Sequence, residues 1–251
     1  MLYLFKKFFR PKKNYICFGR TDTGKVREHN EDNFCILADR DIYLVADGMG
    51  GHNAGEVASR VAIETLVNHF PLAKVRRMSG NREEIRHSLI TGFHHANKAV
   101  MDMAADDEAL QGMGSTLVAC HIDDGIMHTC HVGDSRCYLA KGQDLLQITT
   151  DHSSAVAAGT RENNDPAPPR HVLTSAVGFP FPKDPEYHDA ALRPGDKILL
   201  CSDGLWSMVD NGQIQEILQK SASPEEASDI LVQLANEAGG KDNITALVIF
   251  C

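Results

Sequence analysis

Five places in this chain set a carboxylate against a run of strand-forming residues. "LVADGMGG" carries Asp47, "HVGDSR" carries Asp134, "LLCSDGLW" carries Asp203 and "KDNITALVIF" opens on Asp242. "REHNEDNF" adds Glu31 and Asp32 directly before another such run. One Asp-Gly at a strand end is ordinary turn chemistry. Five are different, because strand ends on one side of a sheet converge and uncompensated carboxylates held together repel one another. Their natural partner is a cation. Oxygen ligands with glycine carbonyls close by suit hard ions such as Mg²⁺ or Mn²⁺ better than Zn²⁺. Two such cations sharing an Asp and a water make a hydrolytic centre, by lowering the pKa of the water and stabilising charge on the attacked group. A phosphate ester also wants a positive fork, and Arg27 stands four residues before Glu31.

The histidines and cysteines point less clearly. The chain has 12 His, but the adjacent pair His94 and His95 cannot share one helix face, and there is no H-E-x-x-H. Zinc is the weaker choice. The seven cysteines form no C-x-x-C pair, and most lie inside apolar runs. They read as reduced thiols of a cytoplasmic protein rather than a disulfide framework. "CHVGDSR" does place Cys130 and Arg136 in the C-x5-R spacing of cysteine-dependent phosphatases. That chemistry needs a phosphate-cradling loop opening onto a helix N-terminus, whereas "CYLAKG" follows here and reads as a strand and a turn.

The elements that must position these residues alternate in type. Strand-like runs fall at 15–21, 33–39, 41–47, 114–123, 125–133, 136–141, 145–150, 196–202 and 243–250. Short turn signals ("ADRD", "DDG", "KGQD", "RPGD") join several of them and imply antiparallel neighbours. Helical periodicity covers 53–70, through Val57, Val61 and Leu66, and 81–103, through Ile85, Leu89, Phe93, Ala96 and Val100. A second helix pair is expected at about 210–220 and 224–238. There Ser223 offers an N-cap, Pro224 the first helical position, Glu226 a capping box and Gly239 a stop. Two antiparallel β-sheets flanked by pairs of helices, an α/β sandwich in α-β-β-α layers, is the expected fold. The long polar, proline-bearing stretch 151–171 reads as a surface loop or flap.

At 251 residues, with 43 % hydrophobic and 24 % charged residues, the chain has ample material for a core. A formal net charge of -9 argues against nucleic acid as a partner. Residues 1–14 stand apart as a basic, aromatic tail with Lys6, Lys7, Arg10, Lys12 and Lys13, too short in its apolar runs for a membrane span. A disordered or loosely docked tail is the plainer expectation; because clustered cations beside Phe and Leu suit an anionic membrane surface or a partner, a peripheral place at the inner face of a membrane is the sharper one. Residues 15–251 are expected to form the catalytic domain.

Taken jointly and in order, "DTGKVREHNEDNF", "LYLVADGMGGHNAGEVAS", "GMGSTLVA", "HVGDSRCYL", "DHS", "ILLCSDGLW" and "KDNITALVI" resemble the metal-dependent serine/threonine protein phosphatases, the PPM or type-2C family. The likeness runs from about residue 16 to 250, and the "DGMGG" form and small size are similar to the bacterial branch. It implies a β-sandwich flanked by helix pairs and two Mn²⁺ or Mg²⁺ ions. It also implies roles: Asp47 bridging both metals, Glu31 and the Gly48 carbonyl on one, Asp203 and Asp242 on the other. Asp134 resembles the residue that shares a weaker third metal with the Asp203 equivalent. Arg27 would hold the substrate phosphate, and Asp32 would orient ligands rather than bind metal. Phosphoproteins are the implied substrates, with a Ser/Thr protein kinase as opponent and itself a candidate substrate. The chain departs from the family at Met49, where many eukaryotic members carry a proton-donating His, at Ser207, where Asp is frequent, and at Ser175, where bacterial relatives often have Arg. The 151–171 flap is shorter than usual. A catalytically dead module that binds phosphoproteins or a kinase is the rival, and its mark would be a missing metal carboxylate.

Overall fold

The computed structural model describes residues 15–50, 54–154 and 172–251. Strand β3 (Ile42–Met49) shows how its layers arise, because Ile42 to Ala46 are buried without a break. Ile42, Leu44 and Ala46 join one core, while Tyr43 and Val45 join another. The two-residue period of a strand sends alternate side chains to opposite faces, so a strand apolar throughout must be covered on both sides.

The remaining elements follow along the chain. Strands β1 (Ile16–Asp22) and β2 (Asp32–Leu37) precede β3, and helices α1 (Ala54–His69), α2 (Leu72–Met78) and α3 (Arg82–Asp106) follow it. Then come β4 (Gly114–Ser115), β5 (Leu117–Asp123), β6 (Ile126–Val132), β7 (Arg136–Lys141), β8 (Asp144–Gln147), β9 (Ser153–Ser154), β10 (Val172–Leu173), β11 (Glu186–Ala191) and β12 (Lys197–Cys201). The chain closes with α4 (Asp203–Trp206), α5 (Asn211–Lys220), α6 (Pro224–Glu237) and β13 (Ile244–Phe250). Among the described residues one sheet runs β1-β13-β12-β7-β8 and the other β11-β6-β5-β3-β2, every pairing antiparallel. Residues of α1 and α3 cover the second sheet, residues of α5 and α6 cover the first, and a third core fills the space between the sheets. The expected α-β-β-α sandwich is the observed one.

Several boundaries differ from expectation for local reasons. The run 114–123 is two strands, broken at Thr116, and β4 pairs Gly114 and Ser115 with Met49 and Gly48. That pairing carries β3 two residues past Asp47, so Asp47 does not end its strand. Ser223 caps α6 by accepting from Glu226 N–H at 3.1 Å, but the Glu226 carboxylate reaches back to Ala222 N–H at 2.7 Å rather than to the cap residue. A full capping box forms instead at α5, between Asp210 and Gln213. Strand β11, "EYHDAA", lacks the apolar alternation of a half-buried strand because it pairs only with β6 at the sheet edge. Helix α2 is seven residues long, too short for periodicity, and buries only Val75 and Met78.

The expectation for the tail 1–14 lies outside the described residues, as does that for 155–171 of the flap. No helix among the described residues is long and apolar enough to cross a membrane. None of the seven cysteines, all among the described residues, forms a disulfide.

Candidate active site

A cavity of about 610 Å³ opens at one end of the sandwich, lined by Arg27, Glu31, Asp47, Gly48, Asp134, Asp203 and Asp242 together with Met49, Thr116 and Ser175. Seven of the eight residues singled out in the sequence meet there. The eighth, Asp32, is buried and sits opposite Asp47 in the β2–β3 register.

Backbone and side-chain hydrogen bonds hold each carboxylate in place. Asp47 N–H donates to Thr116 Oγ1 at 3.0 Å, and its carbonyl accepts from Thr116 N–H at 2.8 Å and Ser115 Oγ at 3.0 Å. Gly48 N–H donates to Glu31 O at 3.1 Å, and Ser59 Oγ of α1 donates to the same carbonyl at 2.6 Å. A β-carbon at position 48 would lie 2.0 Å from Gly55 O and 2.7 Å from Glu31 O. Glycine is required there so that β3 can press against the start of α1.

The first sheet supplies the rest. Asp203 heads the short helix α4, just after β12, and Asp242 stands just before β13. Ser202, the N-cap of α4, makes no side-chain cap; its hydroxyl donates to Asp32 Oδ2 at 2.6 Å, as does Thr245 Oγ1 at 2.6 Å. Asp32 is therefore gripped from the opposite sheet. Asn243 ties the same two sides: its Oδ1 accepts from Glu31 N–H at 2.8 Å, while its Nδ2 donates to Thr23 O and His29 O, each at 2.9 Å. Asp134 leaves β6 in a loop whose carbonyl accepts from Trp206 Nε1 at 2.9 Å. Arg136 lies over the Trp206 ring at 3.6 Å and forks onto Asp151 at 2.9 and 2.7 Å. Asn243, Ser202, Thr245, Trp206 and Asp151 were not picked out from sequence. Buried polar residues next to a candidate carboxylate, as in "KDN" and "CSD", are the signal that could have found them.

The electrostatics of this end are strained. Burial, and then the charges of Asp32, Asp203, Asp242 and Asp134, push the Asp47 carboxyl well above the usual carboxylate range. Burial lifts Asp32 to about 7 against the two hydroxyls that favour its charge, and Asp203 and Asp242 lift it further. Asp134 rises to about 7 through burial and the charges of Asp203 and Asp151. Burial also raises Glu31, against the pull of Arg27. Arg27 Nη2 donates to Asp242 Oδ2 at 2.8 Å and its Nη1 stands 4.0 Å from Glu31, a single cation among five acids of the described lining. Glu31 Oε1 and Asp32 Oδ1 are buried with no hydrogen-bond partner. Orphaned oxygens, repelling carboxylates and a cavity lining that holds no His or Cys among the described residues fit a hard divalent cation. They do not fit a thiol nucleophile. Cys130 is fully buried in β6, burial pushes its pKa far up, and Arg136 is committed to Asp151 and Tyr138.

The departures from the resemblance also find places. Met49 lines the cavity beside Gly114 and cannot give a proton. Ser207 ends α4, its N–H on Asp203 O at 2.9 Å. Ser175 lines the cavity wall.

The chain is 36 % identical over 238 residues, 92 % of its length and 93 % of the relative's, to the serine/threonine phosphatase stp of Listeria monocytogenes. The serine/threonine phosphatase PstP/Ppp of Mycobacterium tuberculosis superposes with a TM-score of 0.81 at 32 % identity, covering 94 % of this chain and 98 % of that one. A PstP catalytic domain solved in complex with two manganese ions gives a TM-score of 0.79 at 32 % identity, with 94 % and 97 % covered. Residues 24–237 match the protein phosphatase 2C model, and the chain belongs to that family.

Proposed function

We propose that this protein hydrolyses phosphoserine and phosphothreonine on proteins at the carboxylate cavity, with two Mn²⁺ or Mg²⁺ ions as cofactors. The observation that carries the reading is the convergence of Glu31, Asp47, Asp134, Asp203 and Asp242 with Arg27 on one cavity, where burial and neighbouring charges raise the Asp47 and Asp134 carboxyls. Asp47 would serve both ions, Glu31 and the Gly48 carbonyl would hold one and Asp203 and Asp242 the other, and Asp134 with Asp203 would hold a weaker third. Bound there, the ions supply Lewis acidity and a water acidified to near-neutral pKa. Asp32, gripped by Ser202 and Thr245, orients the ligands from beneath. Arg27, 47 % exposed on its side chain, reaches substrate without leaving the rim and forks onto the phosphate. Met49 cannot protonate the leaving hydroxyl, so that proton comes from water or from another residue of the cavity. No metal carboxylate of the family pattern is missing, which leaves the dead-module reading without support.

The substrates are phosphoproteins, and a Ser/Thr kinase acting in the same cell is the natural opponent. The basic tail 1–14 is proposed to touch an anionic membrane; vesicle binding unchanged by its deletion would refute that. The decisive measurement of activity is phosphate release from a phosphothreonine peptide by chelator-treated protein, with and without Mn²⁺ or Mg²⁺. Activity is expected to return with metal and to be absent from a folded Asp47→Asn variant, since unaided monoester hydrolysis is extremely slow. Metal-independent activity, or turnover by Asp47→Asn, refutes the two-metal reading.

A further inference from the structure

Away from the carboxylate cavity, three imidazoles gather around one acid. Glu186 on β11 stands opposite His131 on β6 in the strand register. Its carboxylate has His152 Nε2 at 3.5 Å, His188 Nε2 at 3.5 Å and His131 Nε2 at 4.0 Å. The His131 ring stacks on His152 with centroids 4.7 Å apart and on His188 at 6.1 Å. One donor atom from each of His131, His152 and Glu186 lies within 4.8 Å of the other two.

Two further observations point to a ligand. His131 has a fully buried side chain, and its Nδ1 has no hydrogen-bond partner. His131 Nε2 lies 2.8 Å from Thr150 O, so that nitrogen carries the proton and donates, leaving Nδ1 as a bare lone pair. A ring oriented by a backbone carbonyl, with its second nitrogen free, is how metal-ligating histidines are held. There is also a way in, since His152 and Glu186 line a cavity of about 210 Å³ with Thr174 and Ser175. Those last two residues line the carboxylate cavity as well.

We propose that His131, His152 and Glu186, with His188 beside them, form a second metal site, separate from the all-oxygen centre and suited to Zn²⁺. Two imidazoles and one carboxylate are a recognised zinc donor set that leaves a fourth position open. Imidazole also selects against Mg²⁺, which prefers oxygen. The ion joins strand β11, at the edge of one sheet, to the segment after β8 that leaves the other. Occupancy has a consequence at the neighbouring loop. Gly133 N–H donates to His152 Nδ1 at 3.3 Å, so the proton of that ring sits on Nε2, facing Glu186. Seating an ion on Nε2 moves the proton to Nδ1, with no net change in charge on the ring, and releases the Gly133 N–H next to Asp134.

The test uses the full chain in excess Mg²⁺, which occupies the oxygen ligands and leaves the imidazoles free. Zn²⁺ is titrated by calorimetry, and visible absorption of added Co²⁺ reports nitrogen ligation. Wild type is expected to bind one equivalent of Zn²⁺, with affinity lowered by on the order of 100-fold in Glu186→Gln and in His152→Ala, and unchanged in Asp47→Asn. Glu186 is 42 % exposed on an edge strand, so Glu186→Gln decides the matter even if His152→Ala fails to fold. No Zn²⁺ uptake by wild type, equal uptake by Glu186→Gln, or loss of uptake in Asp47→Asn overturns the proposal.

Discussion

Replacing Asp134 by Asn should make the metal-free protein more stable at pH 8 and leave it little changed at pH 4. Asp134 is 4 % exposed, and its pKa is raised from 3.8 to about 7 by burial and by the charges of Asp203 and Asp151. Below pH 3.8 both the folded and unfolded chains hold the proton, and no cost arises. Above it the unfolded chain releases the proton while the folded one keeps it, so stability falls with rising pH until the folded carboxyl also ionises near 7. At roughly 1.4 kcal/mol per pH unit, that interval amounts to about 4 kcal/mol. Asn has nearly the same shape and no charge, so the variant escapes the loss. For a chain of this size about 4 kcal/mol corresponds to roughly 8–16 °C in Tm. A variant comparison is needed because burial pushes His69, His128 and His131 down to about 4 each. Those groups make stability rise from pH 4 to 6.5, opposing the carboxylates, and they cancel in the difference. The assay is urea unfolding of both proteins in chelator at pH 4, 6 and 8, repeated with Mn²⁺, which should shrink the difference by stabilising the carboxylate. A difference independent of pH, or a wild type more stable at pH 8, would refute the electrostatic account.

Other expectations follow from single contacts. Gly48→Ala places a β-carbon 2.0 Å from Gly55 O and 2.5 Å from Gly55 C, both backbone atoms, so it should cost about 3 kcal/mol or more in urea unfolding; wild-type stability would show that β3 and α1 do not approach so closely. Arg136→Lys loses the fork onto Asp151 and the stacking on Trp206 and should cost about 3 kcal/mol. It should also lower kcat more than it raises KM, because Trp206 holds the Asp134 loop; normal kinetics would place that cluster outside catalysis. Cys130→Ser should keep its activity while losing about 1–3 kcal/mol of stability from burying a hydroxyl, and an inactive but folded enzyme would revive the thiol.

How much of this was readable from sequence depends on which interactions are local. Asp47, Asp134, Asp203 and Asp242 were legible because each stands beside Gly or Asn at the end of an apolar run, and such runs are buried strands whose ends have few places to go. Helices α1 and α3 were legible from 3.6-residue periodicity, and α6 from its terminal signals at Ser223 and Pro224. What escaped was set by partners far away in the chain. Strand β11 is polar because it occupies an edge, a fact that no window of "EYHDAA" contains. The break at Thr116 exists because Thr116 turns to bond Asp47 and Ser135. The role of Gly48 could not be read from a glycine-rich run, since the atoms that forbid a side chain there belong to Gly55 and Glu31. Likewise Glu226 prefers Ala222 N–H to Ser223 N–H, a choice of geometry between two neighbouring donors.

The arrangement of the site explains why so many unfavourable charges persist. Between the sheets the core is apolar, with Val45 and Val118 from one meeting Leu200 and Leu247 from the other. At the cavity end that contact gives way to polar ones. Asp32 on the second-sheet side accepts hydrogen bonds from Ser202 and Thr245 on the first, and Glu31 N–H donates to Asn243 Oδ1. These bonds lock the two sheets in register beneath the carboxylates, so the side chains cannot separate to relieve their repulsion. That repulsion raises the pKa values, and it is removed when divalent charge is supplied. A cation held, as proposed, by Asp47 from β3 together with Asp203 and Asp242 from the β12 and β13 ends would therefore join the two sheets. Its binding free energy would then also be folding free energy, contributing roughly 2.7 kcal/mol at a hundredfold excess over Kd. On the proposed reading, the rigidity that destabilises the metal-free protein is also what would place the ligands before the ion arrives, and the stability that Asp134 costs without metal would be recovered when divalent charge is bound beside it.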